Sequence, residues 1–320
     1  MTHTFFLMFV RVAGILAMIF AGYLARKKEF LNGESTRALS FLLMNFIYPA
    51  NIYASLVGNY TLPEILQQWR LPVFEALLLF IGFLVAFPVL LIFRKRSEPE
   101  RRMFHYQCTL MNFIFMPLPL VMAFMGDKGV ALLSLAFVGG ETAVWTLGVV
   151  AITGGCSLQH VKKIFSVPLA SIALSFLTLA LVHAFPGLHP TEGSNWALVA
   201  DTAMSTLKLF GSATVGISMV IAGSRMATLK LSKSFEPFHL TLAACRLVVV
   251  PLVCFGVLYL LKLPQDVFTI LCLVAMMPCS ISSVAYGEVF HADLDTGATA
   301  VLLTHVGCLV TVPLFYCLLN

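Results

Sequence analysis

Asn112-Phe113-Ile114-Phe115-Met116-Pro117-Leu118-Pro119 lies inside an apolar run long enough to cross a bilayer. Met277-Pro278-Cys279-Ser280-Ile281-Ser282-Ser283 lies inside another, in the other half of the chain. A proline within a membrane helix removes a backbone hydrogen bond that lipid cannot replace, so it is tolerated only where protein or a water-filled cavity satisfies the freed carbonyl. The runs also share a spacing, because Gly126 follows Met116-Pro117 and Gly287 follows Met277-Pro278 nine residues after each proline. Interrupted apolar segments in corresponding positions of two halves point to the binding site of a transporter.

The rest of the chain places these runs in a membrane. Apolar residues make up 59%, charged residues only 11%, and 27 residues are phenylalanine, a composition outside that of soluble domains. Apolar stretches able to cross about 30 Å of hydrocarbon number about ten, near 5–25, 38–58, 71–93, 103–125, 131–153, 164–185, 199–223, 238–261, 267–289 and 297–318. Fourteen of the twenty Lys and Arg residues follow the first, third, fifth and seventh of these, including Arg26, Arg37, Arg96, Lys162, Lys163, Arg225, Lys230 and Lys233. Positive charge marks the cytoplasmic side, so both termini are expected outside. The net charge of +5 is then a topology signal. Its clusters sit at helix ends with no basic arm, so nucleic acid is not an expected partner.

Five spans per half is an odd number, so the second half re-enters with opposite polarity. The expected fold is an all-α polytopic membrane protein of ten transmembrane helices in a 5+5 inverted repeat, residues 1–156 and 157–320. Prolines at Pro72 and Pro88 in span three and at Pro237 and Pro251 in span eight keep a similar order.

Candidate substrate-binding residues cluster at the two interruptions. They are Asn112, Pro117 and Pro119 on one side, and Pro278, Cys279, Ser280, Ser282 and Ser283 on the other, where freed carbonyls, an amide and three hydroxyls make a polar lining that suits an anion. The structural alternative is a pair of proline kinks whose serines bond back to the preceding turn. Ionisable groups inside spans are costly and are functional suspects. Glu141 and Arg246 read either as a coupling carboxylate with a substrate counter-charge or as a structural ion pair. Glu75, one turn into span three, reads as a hydrated or relay acid, Lys208 shares a helix face with Asp201, and His305 reads as a packing histidine or a proton shuttle.

The eight cysteines fall singly, without Cys-x-x-Cys or paired His spacing, so neither a disulfide framework, a metal site nor a cofactor is expected. No HExxH, GxSxG elbow or nucleophile with base and orienter occurs, so the chain is not read as an enzyme.

With the interruptions placed, the chain resembles, over essentially its whole length, the auxin efflux carrier family, permeases of the superfamily that includes bile acid:sodium symporters. In span four that family places an Asn, a Pro seven residues later and a Gly seven beyond, and Asn112, Pro119 and Gly126 fit. Its span-two Asn before a Pro is echoed by Asn45 and Pro49, and Pro278, His291-Ala292-Asp293, Thr299-Ala300-Val301 and Pro313 resemble its last two spans. Pro117 replaces a glycine usual in the family, and Leu79 stands where plant members carry a lysine one turn after the acid that Glu75 matches. The long loop of plant carriers between spans five and six is missing, as in bacterial malonate-transporter-like permeases.

The resemblance implies a scaffold of spans one, two, six and seven and a transport core of spans three to five and eight to ten, with broken helices four and nine crossing. It also implies a homodimer and a bacterial cytoplasmic membrane. The implied activity is secondary transport of small organic anions, malonate-like or auxin-like, by alternating access linked to H⁺ or to membrane potential. Two alternatives stand beside it: Na⁺-coupled uptake of larger, bile-acid-like anions, and a ligand sensor without flux.

Overall fold

The computed structural model describes residues 2–155, 166–188, 194–228 and 236–319. Lys162, Lys163, Lys230, Lys233 and the boundary between residues 156 and 157 lie outside the described residues. Among those described the chain is helical, and the only β feature is one isolated bridge. Eight helices are long and apolar enough to cross a membrane: α1 (Thr2–Lys27), α2 (Gly33–Asn59), α3 (Leu62–Ile92), α5 (Pro117–Thr153), α6 (Val167–Ala184), α7 (Asn195–Met226), α8 (Pro237–Leu260) and α11 (Leu294–Leu319). Three shorter helices complete the order: α4 (Glu98–Thr109), α9 (Gln265–Ala275) and α10 (Ser283–Val289). This is a polytopic membrane protein.

Expected spans four and nine are not continuous helices. The chain leaves helical geometry between α4 and α5, over residues 110–116, and again between α9 and α10, over residues 276–282. The two Met-Pro pairs do different jobs there. Pro117 is the first residue of α5, where a missing N–H and a fixed φ suit helix initiation. Pro278 sits in extended backbone ahead of α10. The shared Met-Pro spacing is therefore not a shared geometry. The loop expected between spans four and five is reduced to a kink inside α5 at Gly126, whose φ of 61° lies in the left-handed region that glycine reaches without strain.

Three long helices each contain one π turn: Leu43–Ile47 in α2, Val144–Gly148 in α5 and Cys245–Val249 in α8. Pro49 and Pro251 follow two of them two residues on. Each proline lacks an N–H and its ring excludes the carbonyl four residues back, so the hydrogen-bond ladder slips to the wider register.

Close backbone approach through small residues joins α1, α2, α6 and α7. A Cβ on Gly22 of α1 would overlap the Val220 carbonyl of α7, and one on Gly223 of α7 would overlap the Ile19 carbonyl of α1. Gly211 of α7 presses on the backbone of Asn51 in α2, with 2.7 Å left between a built Cβ and the Asn51 Cα. Ser171 of α6 donates to the Pro49 carbonyl at 2.7 Å, and the Tyr53 and Thr178 hydroxyls lie 3.1 Å apart. With lipid as apolar as the side chains, such packing and hydrogen bonding hold membrane helices together. A second group forms where Gly139 of α5 lies against the Pro72 carbonyl of α3 and Gly82 of α3 against the Cys108 carbonyl of α4.

On the basic side, Ser97 and Glu100 form a capping box at the start of α4. Arg96 reaches Glu100 at 3.1 Å and Glu236, ahead of α8, at 2.5 Å, and Arg102 pairs with Glu98.

Replacing Gly223 by leucine should lower the stability of the detergent-solubilised protein by about 1–3 kcal/mol through overpacking. Gly256→Leu, at a position with nothing within 4 Å, should leave the thermal midpoint close to that of the parent.

Candidate functional site

The two non-helical segments meet. Met111 and Cys279 form an antiparallel bridge in which the Asn112 N–H donates to the Pro278 carbonyl at 2.8 Å and the Ser280 N–H donates to the Leu110 carbonyl at 3.1 Å. Each interruption thereby satisfies backbone groups of the other. The remaining freed groups find side chains. Arg246, fully buried on the π turn of α8, donates from Nη2 to the Ala275 carbonyl at 2.6 Å and from Nε to the Met277 carbonyl at 3.1 Å. The Cys279 N–H donates to Thr304 Oγ1 of α11 at 3.2 Å, and Gln107 Nε2 of α4 donates to Ser283 Oγ at 2.6 Å and to the Gly297 carbonyl at 3.0 Å. Burying these amides and carbonyls unpaired would cost about 1–3 kcal/mol each.

Beside the crossing is a cavity of about 370 Å³, within the size range of small-molecule sites. Asn112, Ser280 and Ser282 face it from the interruptions, the two serine hydroxyls 2.8 Å apart. Glu141 enters from α5 with Oε1 accepting from Trp145 Nε1 at 3.0 Å. Arg225 enters from the last turn of α7, its Nη2 donating to Ser40 Oγ of α2 at 3.1 Å. Tyr286 of α10 lines the same cavity. Apolar walls come from Phe113, Phe115 and Phe137, the last stacked on Phe113 at 6.2 Å and edge-on to Tyr48 at 5.9 Å.

Of the residues singled out by sequence, Asn112, Ser280, Ser282 and Glu141 line this cavity. Pro117, Pro119, Pro278, Cys279 and Ser283 build the crossing behind it. Asn45 does not line it: its amide donates to the Phe41 carbonyl at 2.9 Å, while its π-turn neighbours Leu43 and Met44 face the cavity. Glu141 and Arg246 form no ion pair with each other, because each is held elsewhere. Arg246 instead supports the crossing through the Ala275 and Met277 carbonyls. Glu75 is fully buried, closed off from bulk solvent, and neither carboxyl oxygen has a hydrogen-bond partner among the described residues. Lys208 lies on a half-exposed flank, 4.0 Å from Asp127 Oδ2. His305 is buried, with Nδ1 2.7 Å from the Val301 carbonyl and Nε2 without a partner among the described residues.

Sequence reasoning missed Arg225, Ser218, Ser40 and Tyr286. Arg225 reads as one more cytoplasmic positive charge, yet Ser218, Ile221, Ala222 and Arg225 recur at i, i+3, i+4 and i+7 and form one face of α7. That periodicity was the available signal.

A family profile described as membrane transport protein matches residues 7–173 and 159–316. The chain is also 22% identical, over 312 residues, to a transporter described as uncharacterized from Methanocaldococcus jannaschii, a match covering 96% of this chain and 97% of the relative.

Arg246→Met should remove two donors to the crossing and lower stability by about 2–5 kcal/mol, while Arg11→Met, which removes only a cation–π contact to Phe124, should cost about 1 kcal/mol. Thermal unfolding in detergent with both variants checks the difference.

Proposed function

This chain belongs to the membrane transport protein family, the auxin efflux carrier permeases, and from that premise we propose that it is a secondary transporter of small organic anions. The observation that carries the proposal is the cavity at the crossing. One guanidinium, one carboxyl, an amide, four serines and Tyr286 face a room otherwise lined by apolar side chains. A carboxylate suits that set, because Arg225 presents paired N–H donors matched to its two oxygens and the low surrounding polarity strengthens the attraction. Malonate-like or auxin-like acids are the substrates proposed.

The 5+5 inverted repeat is part of the proposal. The bridge partners Met111 and Cys279 are 168 positions apart, 279 less 111. Moved by that interval, α3 at 62–92 falls on 230–260, against Pro237–Leu260, and α4 at 98–109 falls on 266–277, against Gln265–Ala275. Likewise α2 at 33–59 falls on 201–227, against Asn195–Met226. A single interval relating several elements supports two equivalent halves and ten passes, with α4 and α9 as half-helices. The Met-Pro pairs, 161 apart, are seven residues out of that register.

Alternating access follows from which elements line the cavity. Ser40, Leu43 and Met44 of α2 and Ser218 and Arg225 of α7 face Asn112, Ser280, Ser282, Glu141 and Tyr286 across it. The first set belongs to the group packed through small residues with α1 and α6, proposed as the scaffold. The second belongs to the crossing, proposed as the moving core. Displacement of one against the other would carry the site across the membrane.

Glu141 is proposed as the coupling group. An ionised carboxylate opposes a second anion in one low-dielectric room, so substrate entry favours a proton on Glu141. Tyr48, Tyr106 and Tyr286 act electrostatically with it from α2, α4 and α10. The carbonyls that a broken helix offers to a metal cation are already occupied by Arg246, which argues for H⁺ over Na⁺. Both termini outside and a bacterial cytoplasmic membrane complete the proposal, on the placement of the basic residues.

Proteoliposomes loaded with malonate should exchange labelled malonate, and an inwardly directed pH gradient should drive net uptake while a Na⁺ gradient does not. Arg225→Gln should lower uptake at limiting substrate on the order of 100-fold. Glu141→Gln should retain exchange and lose the response to the pH gradient. Exchange absent for a panel of mono- and dicarboxylates, in correctly folded protein, would refute the substrate assignment, and a pH response surviving in Glu141→Gln would refute the coupling role.

A further inference from the structure

We propose that a second cavity, on the basic side of the molecule, is an oxyanion site in series with the first. It has a volume of about 280 Å³ and shares Arg225 and Ile281 with the cavity at the crossing. Three guanidiniums line it: Arg26 from the last turn of α1, Arg37 from the first turns of α2, and Arg225 from the last turn of α7. Glu288 is the single acid among its lining residues, and no ion pair joins it to any of the three arginines among the described residues. The lining therefore carries a formal excess of two positive charges.

The polar groups are arranged as a receptor without its anion. Arg26 Nη1 is buried and has no hydrogen-bond partner among the described residues, a position that is costly for a charged donor unless a ligand fills it. Gly33 places no side chain over that guanidinium, although a Cβ there would lie 3.7 Å from Nη2, so the face stays open. The Thr36 hydroxyl donates to the Asn32 carbonyl at 2.7 Å and accepts from Ser224 at 2.6 Å, so these buried hydroxyls are satisfied within the wall and the donors left for a ligand are the guanidiniums. Guanidiniums converging in a concave space match a carboxylate or a phosphate oxyanion.

Arg225 stands at the junction of the two rooms, so an anion held by Arg26 and Arg37 reaches the inner site without leaving the field of a guanidinium. This rests on the reading of the inner cavity as the transport site only for the identity of the occupant. The site itself is defined by its arginines. Its occupant is either the transported acid, staged before entry, or the phosphate of an anionic lipid headgroup.

The test is isothermal titration of the full chain in detergent at low ionic strength, with malonate and, separately, with inorganic phosphate. Wild-type protein should bind an equivalent of at least one of these anions that weakens tenfold or more in Arg26→Gln/Arg37→Gln and survives in Arg26→Lys/Arg37→Lys. The lysine variant keeps the charge and serves as the folding control. An unchanged titration in the glutamine variant, or no binding of either anion to wild type, overturns the proposal. Asn112→Ala marks the inner equivalent: if wild type lacks any Asn112-dependent binding but keeps the Arg26-dependent equivalent, the transport-site reading fails and this one stands. Displacement of bound phosphate by short-chain phosphatidylglycerol alone assigns the occupant to a headgroup, and displacement by malonate assigns it to the soluble acid. Either result upholds the site.

Discussion

Backbone hydrogen bonding in a medium without water is the constraint on which this structure depends. Two helices open near the middle of the molecule, and every amide and carbonyl they release must find a partner inside the protein. The segments pair with one another first, through the two bonds flanking Met111 and Cys279. Beyond that short bridge, Arg246 takes up the carbonyls of Ala275 and Met277 and Thr304 the N–H of Cys279. Gln107 ties Ser283 to the Gly297 carbonyl of α11.

The same constraint produces the cavity. Extended backbone occupies less cross-section than a helix, and the opened segments line the space with consecutive residues, 111 to 115 on one side and 280 to 282 on the other. The charges follow a division of labour. Arg246 lies behind the crossing and donates to two of its carbonyls, whereas Arg225 and Glu141 face the cavity from different helices and, among the described residues, bond to neutral side chains, Ser40 and Trp145. Opposite charges held apart in a space of low polarity leave a strong local field for a ligand to meet.

Two kinds of contact hold the helices around that space. The contacts of α1 with α7, α7 with α2, α5 with α3 and α3 with α4 run through glycines pressed on backbone, while α6 is tied to α2 by hydroxyl bonds. The crossing adds buried side-chain donors to carbonyls.

How much of this was legible beforehand can be judged from particular residues. Membrane residence and the positions of both interruptions were readable, and Asn112, Ser280, Ser282 and Glu141 could be singled out, because hydropathy, proline and the cost of buried charge are properties of a local segment. The partners of Arg246, the burial of Glu75 and the placement of Arg225 at the cavity were not. An arginine at a helix end has the same local signature whether it anchors the membrane surface or points into a cavity, and only the packing of α2 and α7 around it distinguishes the two. The Met-Pro pairing misled for a related reason, since one proline begins a helix and the other lies in extended backbone, and neither state is encoded within the pair. Sequence alone determined where the helices run and where they fail, because those outcomes rest on nearby residues and the solvent. Which freed groups meet across the break, and which charges are left facing a ligand, was decided by tertiary structure, because hydrogen bonds between segments 168 positions apart exist only once the chain has brought them together.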